Sequence, residues 1–182
     1  MRNVTGLMML MLWLGSIAPE DAAAEIEGIQ LQVDGLSCPF CALGLDKRLK
    51  QRAGLEDIQI HMKHGMTQGS LPPGRGIDVG NVRLAIQEAG FTLRAIKLTV
   101  IGTVRHDNGH FAIESRGDGT RFLLFDAAHQ YTGPQVKLGQ GLQQRLSRLA
   151  QHNTLVRVEG TVHEHADLPA GLMVGRLEEF SE

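Results

Sequence analysis

A chain of 182 residues with a formal charge of −2 and a pI near 6.4 is long enough for one medium domain or two small ones. The weak negative balance and 4% aromatic content offer neither the basic patch nor the stacking platforms of a nucleic-acid binder, and no polybasic membrane patch. Cys38 and Cys41 are the only cysteines, so all thiol chemistry is confined to Cys38-Pro39-Phe40-Cys41.

The chain opens on a targeting pattern: Arg2, then an apolar run from Gly6 to Leu14, then the small-residue site Ala22-Ala23-Ala24. Residues 1–24 are expected to be a cleaved signal peptide. The stretch from Val4 to Ala18 is short of the roughly 20 residues that span a bilayer, and no cysteine follows it to carry a lipid anchor. Glu20 and Asp21 keep an uncleaved N-terminal anchor as the alternative. Either way the remainder is exported, with the periplasm as expected location and no stable membrane insertion after cleavage. In an oxidising compartment two cysteines could form a disulfide, but a pair two residues apart closes too small a loop to be a useful staple. A chemical role is favoured.

Ile29, Leu31 and Val33 alternate with Gln30 and Gln32, which predicts a half-buried strand. Gly35 turns the chain, Ser37 or Cys38 can cap a helix, and Pro39 suits its first position. Phe40, Leu43, Leu45 and Leu49 are read as its apolar stripe, with Gly54 as terminator. Leu55 to Lys63 alternates again through Ile58, Ile60 and Met62. His64-Gly65 is a hairpin turn and Met66 to Leu71 a return strand. After Pro72-Pro73-Gly74, Val79 to Ala89 predicts a second helix closed by Gly90, and Phe91 to Val100 a fourth strand. This order, strand–helix–strand–strand–helix–strand, is that of a ferredoxin-like split sandwich over residues 27–97.

A second unit is expected over residues 98–180. Its strands are Thr99 to Val104, Phe111 to Ser115, Arg121 to Phe125, Leu155 to His163 and Leu172 to Phe180. Asp107-Asn108-Gly109 marks the first hairpin. Leu142 to Ala150 is an amphipathic helix between the third and fourth strands. Three strands, a helix and two strands fit a small OB-like β-barrel. In pattern this half resembles small bacterial periplasmic OB-type domains, and its expected use is partner contact or support of the first domain. The fold class is therefore α+β.

The unpaired N–H groups and dipole of a helix N-terminus favour thiolate, the form that both binds metals and attacks disulfides. Paired thiolates select Cu(I), and also Hg(II) or Zn(II). A structural zinc site would need four ligands. Two leave the ion open to attack by a partner's thiols, which suits hand-off better than storage.

Asp34-Gly35-Leu36-Ser37-Cys38-Pro39-Phe40-Cys41, set in this element order and followed by Ala89-Gly90-Phe91, resembles the heavy-metal-associated domain. That family includes copper chaperones, metal-binding domains of copper-transporting ATPases and the periplasmic mercury-binding protein. The resemblance covers Glu27 to Leu98. It implies Cys38 and Cys41 as metal ligands, Phe91 as an aromatic shield, and a metal-transporting membrane protein or periplasmic acceptor as partner. Leu36 departs from the family's usual methionine and is expected to replace it in packing. Pro39-Phe40 is less typical of copper chaperones and leaves the metal's identity open. Cys-Pro-aromatic-Cys is also similar to glutaredoxin-like proteins, but those need a proline opening a strand opposite the cysteines. Pro72 and Pro73 lead into a glycine loop instead.

Two histidine groups were candidates for further sites. His61, Met62, His64 and Met66 cluster at the second hairpin; His61 and Lys63 are expected to face solvent and Met62 the core. His106, His110, His163 and His165 border loops of the second unit, where a two-residue Asn108-Gly109 turn would point His106 and His110 to opposite faces. Both groups are expected to be structural or solvated. No nucleophile–base pair, phosphate loop or catalytic carboxylate pair is apparent, so the expected function is non-enzymatic. It is soft-metal chelation, Cu(I) first, by Cys38 and Cys41, with transfer by thiolate exchange. Dithiol–disulfide exchange, with Cys38 as attacker and Cys41 as resolver, and a simple adaptor role are the alternatives.

Overall fold

Residues 26–127, 138–165 and 168–180 are described by the computed structural model. The expected signal segment and most of the Ala127–Gly141 loop lie outside the described residues, as does the side chain of His165. The elements are β1 (Ile26–Asp34), α1 (Pro39–Arg48), β2 (Glu56–His61), β3 (Met66–Ser70), α2 (Val79–Glu88), β4 (Thr92–Asp107), β5 (His110–Ser115), β6 (Arg121–Phe125), α3 (Gln140–Gln151), β7 (Leu155–His165) and β8 (Leu168–Glu179). The fold is mixed α+β, dominated by one eight-stranded sheet with three helices.

Strand order is β2-β3-β1-β4-β5-β6-β8-β7, and β7 pairs back onto β4. Every pair is antiparallel except β6–β8. β4 organises the sheet. Its first part pairs with β1, its second part with β5, and Lys97 to Thr103 pair with β7 on the other side. The expected boundary at residues 97/98 falls inside this strand. The two short strands read around Val100 are one 16-residue strand. The alternation of Ile96, Leu98 and Val100 fails at Val100-Ile101-Gly102, all buried, because the strand there is covered on both faces. Gly102 is required at this crossing: a Cβ would lie 2.1 Å from the Glu114 carbonyl oxygen.

Ile29, Leu31 and Val33 of β1 are buried in one cluster with Leu45 of α1, Leu49, and Val82, Ala85 and Ile86 of α2. α1 does not continue as an α-helix to Gly54. It passes into a π-helical turn, Leu49–Ala53, closed by left-handed Gly54. Arg48 and Arg52 both reach Glu88, tying this turn to α2. Two residues of the expected α1 stripe are not in the core: Phe40 is 85% and Leu43 68% exposed. Leu45 and Leu49 stand one helical turn apart, whereas Leu43 lies about 200° round the helix from Leu45 at 100° per residue.

The sheet's other face is polar. Gln59, Gln68, Gln30, Lys97 and Thr161 are successive cross-strand partners over β2, β3, β1, β4 and β7. A groove of about 590 Å³ runs beside them, lined also by Glu159 and Arg176.

Candidate metal centre

β1 delivers the chain to the cysteine loop. Its last residue, Asp34, is ion-paired with Arg94 of β4. Gly35 takes φ +92°, and Ser37 N donates to Gly35 O at 2.7 Å, closing a tight turn. The Phe91 ring packs on Gly35, whose added Cβ would meet Phe91 Cδ1 at 3.4 Å. Phe91 is itself fixed by its N–H to Ile86 O, beyond the Gly90 cap of α2. The aromatic side chain thus braces the base of the loop. Leu36, the departure from the family's methionine, is buried.

Cys38 is the N-cap of α1, with extended backbone, and Pro39 follows at the first helical position. A helix start leaves N–H groups without intrahelical partners. Here the Cys38 sulfur accepts one of them: Cys41 N donates to Cys38 Sγ at 3.3 Å. Cys38 is half-buried, Cys41 is exposed and both thiols are free. The pair is electrostatically unequal. The hydrogen bond from the Cys41 side chain, and then the Cys41 N–H, hold Cys38 below the ordinary thiol pKa. The same side-chain hydrogen bond, with desolvation and the charge of Cys38, pushes Cys41 up. Cys38 is the residue that ionises first, and Phe40 and Leu43, three residues apart on α1, are an exposed apolar pair.

Sequence reasoning located both cysteines and the helix start, but missed this exposed pair. The signal was present in the helical angle between Leu43 and Leu45.

The hairpin tip lies against the same end of β1. Val33 N donates to Gly65 O at 2.7 Å, and Gln32 Nε2 to His64 O at 3.0 Å. β2 stops at His61, and Met62–His64 is a 3₁₀ turn. Met62, expected in the core, is therefore a surface residue, 39% exposed, because the turn breaks the alternation. His61 and Lys63 are exposed as expected.

Among the described residues, His106, His110 and His163 are not gathered into one metal-holding group. Asp107 pairs with His110 and His106 with Phe111 around the two-residue Asn108-Gly109 turn. His106 stacks on Phe111, 4.3 Å between ring centroids, and His163 sits edge-on to Phe125 at 5.2 Å. Glu164 is ion-paired with Arg83 of α2. Among the described residues, no three His, Cys, Asp or Glu side chains are grouped to hold a metal ion. A linear two-thiolate site needs no such group.

No protein-family model, curated protein or solved structure matches the chain.

Proposed function

We propose that this is an exported soft-metal-binding protein in which Cys38 and Cys41 chelate Cu(I), with Hg(II) or Zn(II) as alternative cargo, and pass it on by thiolate exchange. One observation carries the reading. Both sulfurs stand at the open start of α1, where Cys38 already accepts a backbone N–H. The Cys38 thiolate is stabilised there before any metal arrives, and the soft ligand pair suits Cu(I). Cys41 is exposed, so a partner's thiol can approach the bound ion and replace the two sulfurs in turn. The partner class is a metal-transporting membrane protein or a periplasmic acceptor, and the activity is binding and transfer rather than catalysis.

The element order over residues 27–97 and the strand order β2-β3-β1-β4 support the ferredoxin-like, heavy-metal-associated reading of the first half. The cycle β4-β5-β6-β8-β7, with α3 ahead of β7, supports an OB-like second half over residues 98–180. In this reading the two halves share β4. Residues 1–24 act as the signal that exports the chain.

A second reading is favoured by the opposed shifts of the two thiols. In dithiol exchange the Cys38 thiolate attacks a partner disulfide and releases one partner thiolate. Cys41 then displaces the second, leaving a Cys38–Cys41 disulfide and a reduced partner. Anaerobic titration of the reduced protein with Cu(I) and Hg(II), paired with the reduction potential of the cysteines, separates the two. Tight binding lost in Cys38→Ser/Cys41→Ser supports metal capture. Weak metal affinity with a potential in the range of known exchange proteins overturns it.

A further inference from the structure

The β2–β3 hairpin carries donors that the cysteine pair leaves unused: His61-Met62-Lys63-His64-Gly65-Met66. Strand register decides which of them meet. His61 pairs directly with Met66, and Met66 with Gln32 of β1. The adjacent row, Ile60, Thr67 and Leu31, faces the helices, since Thr67 and Leu31 are fully buried. Alternation then sets His61 and Met66 side by side on the sheet's open face. Directly opposed residues have Cβ atoms about 5 Å apart, a span over which an imidazole and a thioether can close on one ion. Met62 follows His61 in the chain and is brought to the surface by the 3₁₀ turn that joins the two strands.

The tip is also held in place. Gly65 N donates to Met62 O, Gln32 Nε2 to His64 O and Val33 N to Gly65 O. The backbone that presents the donors is thus fixed on both sides of the turn. Neither the His61 nor the His64 imidazole is engaged in a hydrogen bond or ion pair among the described residues.

We propose that His61 and Met66, with Met62 as third donor, form a second soft-metal site that takes Cu(I). Thioether and imidazole are soft and borderline ligands suited to that ion. The site shares the soft-metal chemistry proposed for the cysteines but none of their residues. Its use follows from the difference in ligands. The cysteine pair binds metal only while reduced, and a Cys38–Cys41 disulfide removes both of its ligands. Imidazole and thioether keep their lone pairs when the cysteines are oxidised. Val33, bonded to the tip, runs directly into the cysteine loop, so both sites lie at one edge of the sheet.

The test is anaerobic Cu(I) titration of the full reduced chain against a chromophoric chelator. Two equivalents are expected for the unmodified protein, one for Cys38→Ser/Cys41→Ser, and none when His61→Ala and Met66→Ala are added. In the double serine variant labelled with ¹³C-methyl methionine, Ag(I) should move the Met62 and Met66 resonances and leave Met173 in place. The NMR arm reads the site directly, with no dependence on the alanine variants folding. A double serine variant that binds no copper overturns the proposal. So does a quadruple variant that keeps its equivalent, which would put the ion elsewhere, for example on Met8, Met9 and Met11. Loss of the only equivalent on removing His61 and Met66, with no effect of the serines, would uphold this site and refute the cysteine reading.

Discussion

Replacing Gly65 by alanine tests whether the hairpin tip is fixed to β1, on which both sites depend. Gly65 sits at φ +59°, a left-handed conformation that costs an L side chain about 1–2 kcal/mol. A Cβ there would lie 2.7 Å from the Val33 carbonyl oxygen, a backbone atom held by its strand. Relief requires the tip to move off β1, which breaks the bond from Val33 N to Gly65 O. Val33 is 1% exposed, so its N–H would be left unpaired away from water at a cost of about 1–3 kcal/mol. The expected loss is therefore about 2–5 kcal/mol. Gly90→Ala is the internal control: φ is +83°, yet nothing lies within 4 Å of the added Cβ. It should lose only the conformational part, about 1–2 kcal/mol. Gly65→Asn should fall between them, since asparagine tolerates the left-handed region but keeps the Cβ. Urea unfolding followed by far-UV circular dichroism, compared at constant slope, measures the differences. Equal losses at Gly65 and Gly90 would refute the close-approach reasoning.

Leu45→Ala, which empties a fully buried position of α1, should cost about 2–5 kcal/mol in the same assay. Phe40→Ala and Leu43→Ala should stay within about 0.5 kcal/mol, and a large loss at Phe40 would place its ring in the core. In iodoacetamide labelling against pH, Cys38 should reach its half-maximal rate at lower pH than Cys41, as the directions of their shifts require; coincident profiles would contradict the capped-thiolate geometry. Glu114 is held below the ordinary carboxylate range by its hydrogen bond from Arg121. Its contribution is complete above the unfolded value of about 4.3 and is lost as pH falls through the lower folded value. Glu114→Gln should therefore flatten the acid limb of the stability profile, by no more than about 1 kcal/mol for so open a pair. An unchanged acid limb would remove that assignment.

Much of the local structure was legible because it depends on neighbours in sequence. Ile29, Leu31 and Val33 announce β1 by alternation. Asp107-Asn108-Gly109 announces its hairpin because two consecutive left-handed residues are needed there, and Asn108 and Gly109 take φ +52° and +80°. Cys38 and Pro39 read as a helix start for reasons of capping that the backbone N–H groups make general. What the sequence hid is set by tertiary contact. β4 looked like two strands because it changes partner from β1 to β5 near Val100 and is buried on both faces there, which erases the alternation at Ile101. Met62 looked like core because the pattern of β2 runs on past His61, whereas Gly65 docking on Val33 turns the chain one step earlier. The unequal pair of thiols depends on a sulfur–amide bond whose geometry no spacing rule specifies. The exposure of Phe40 and Leu43 could have been found by measuring helical angle rather than counting apolar residues.

Copper K-edge EXAFS on the reduced chain, loaded anaerobically with one equivalent of Cu(I), tests the metal-centre proposal most directly. Cys38 and Cys41 as ligands predict a first shell of two thiolate sulfurs without nitrogen, which in Cys38→Ser/Cys41→Ser gives way to a mixed shell of nitrogen and thioether sulfur from the hairpin site. A first shell of nitrogen or oxygen alone, or a spectrum unchanged by the serine substitutions, would contradict it.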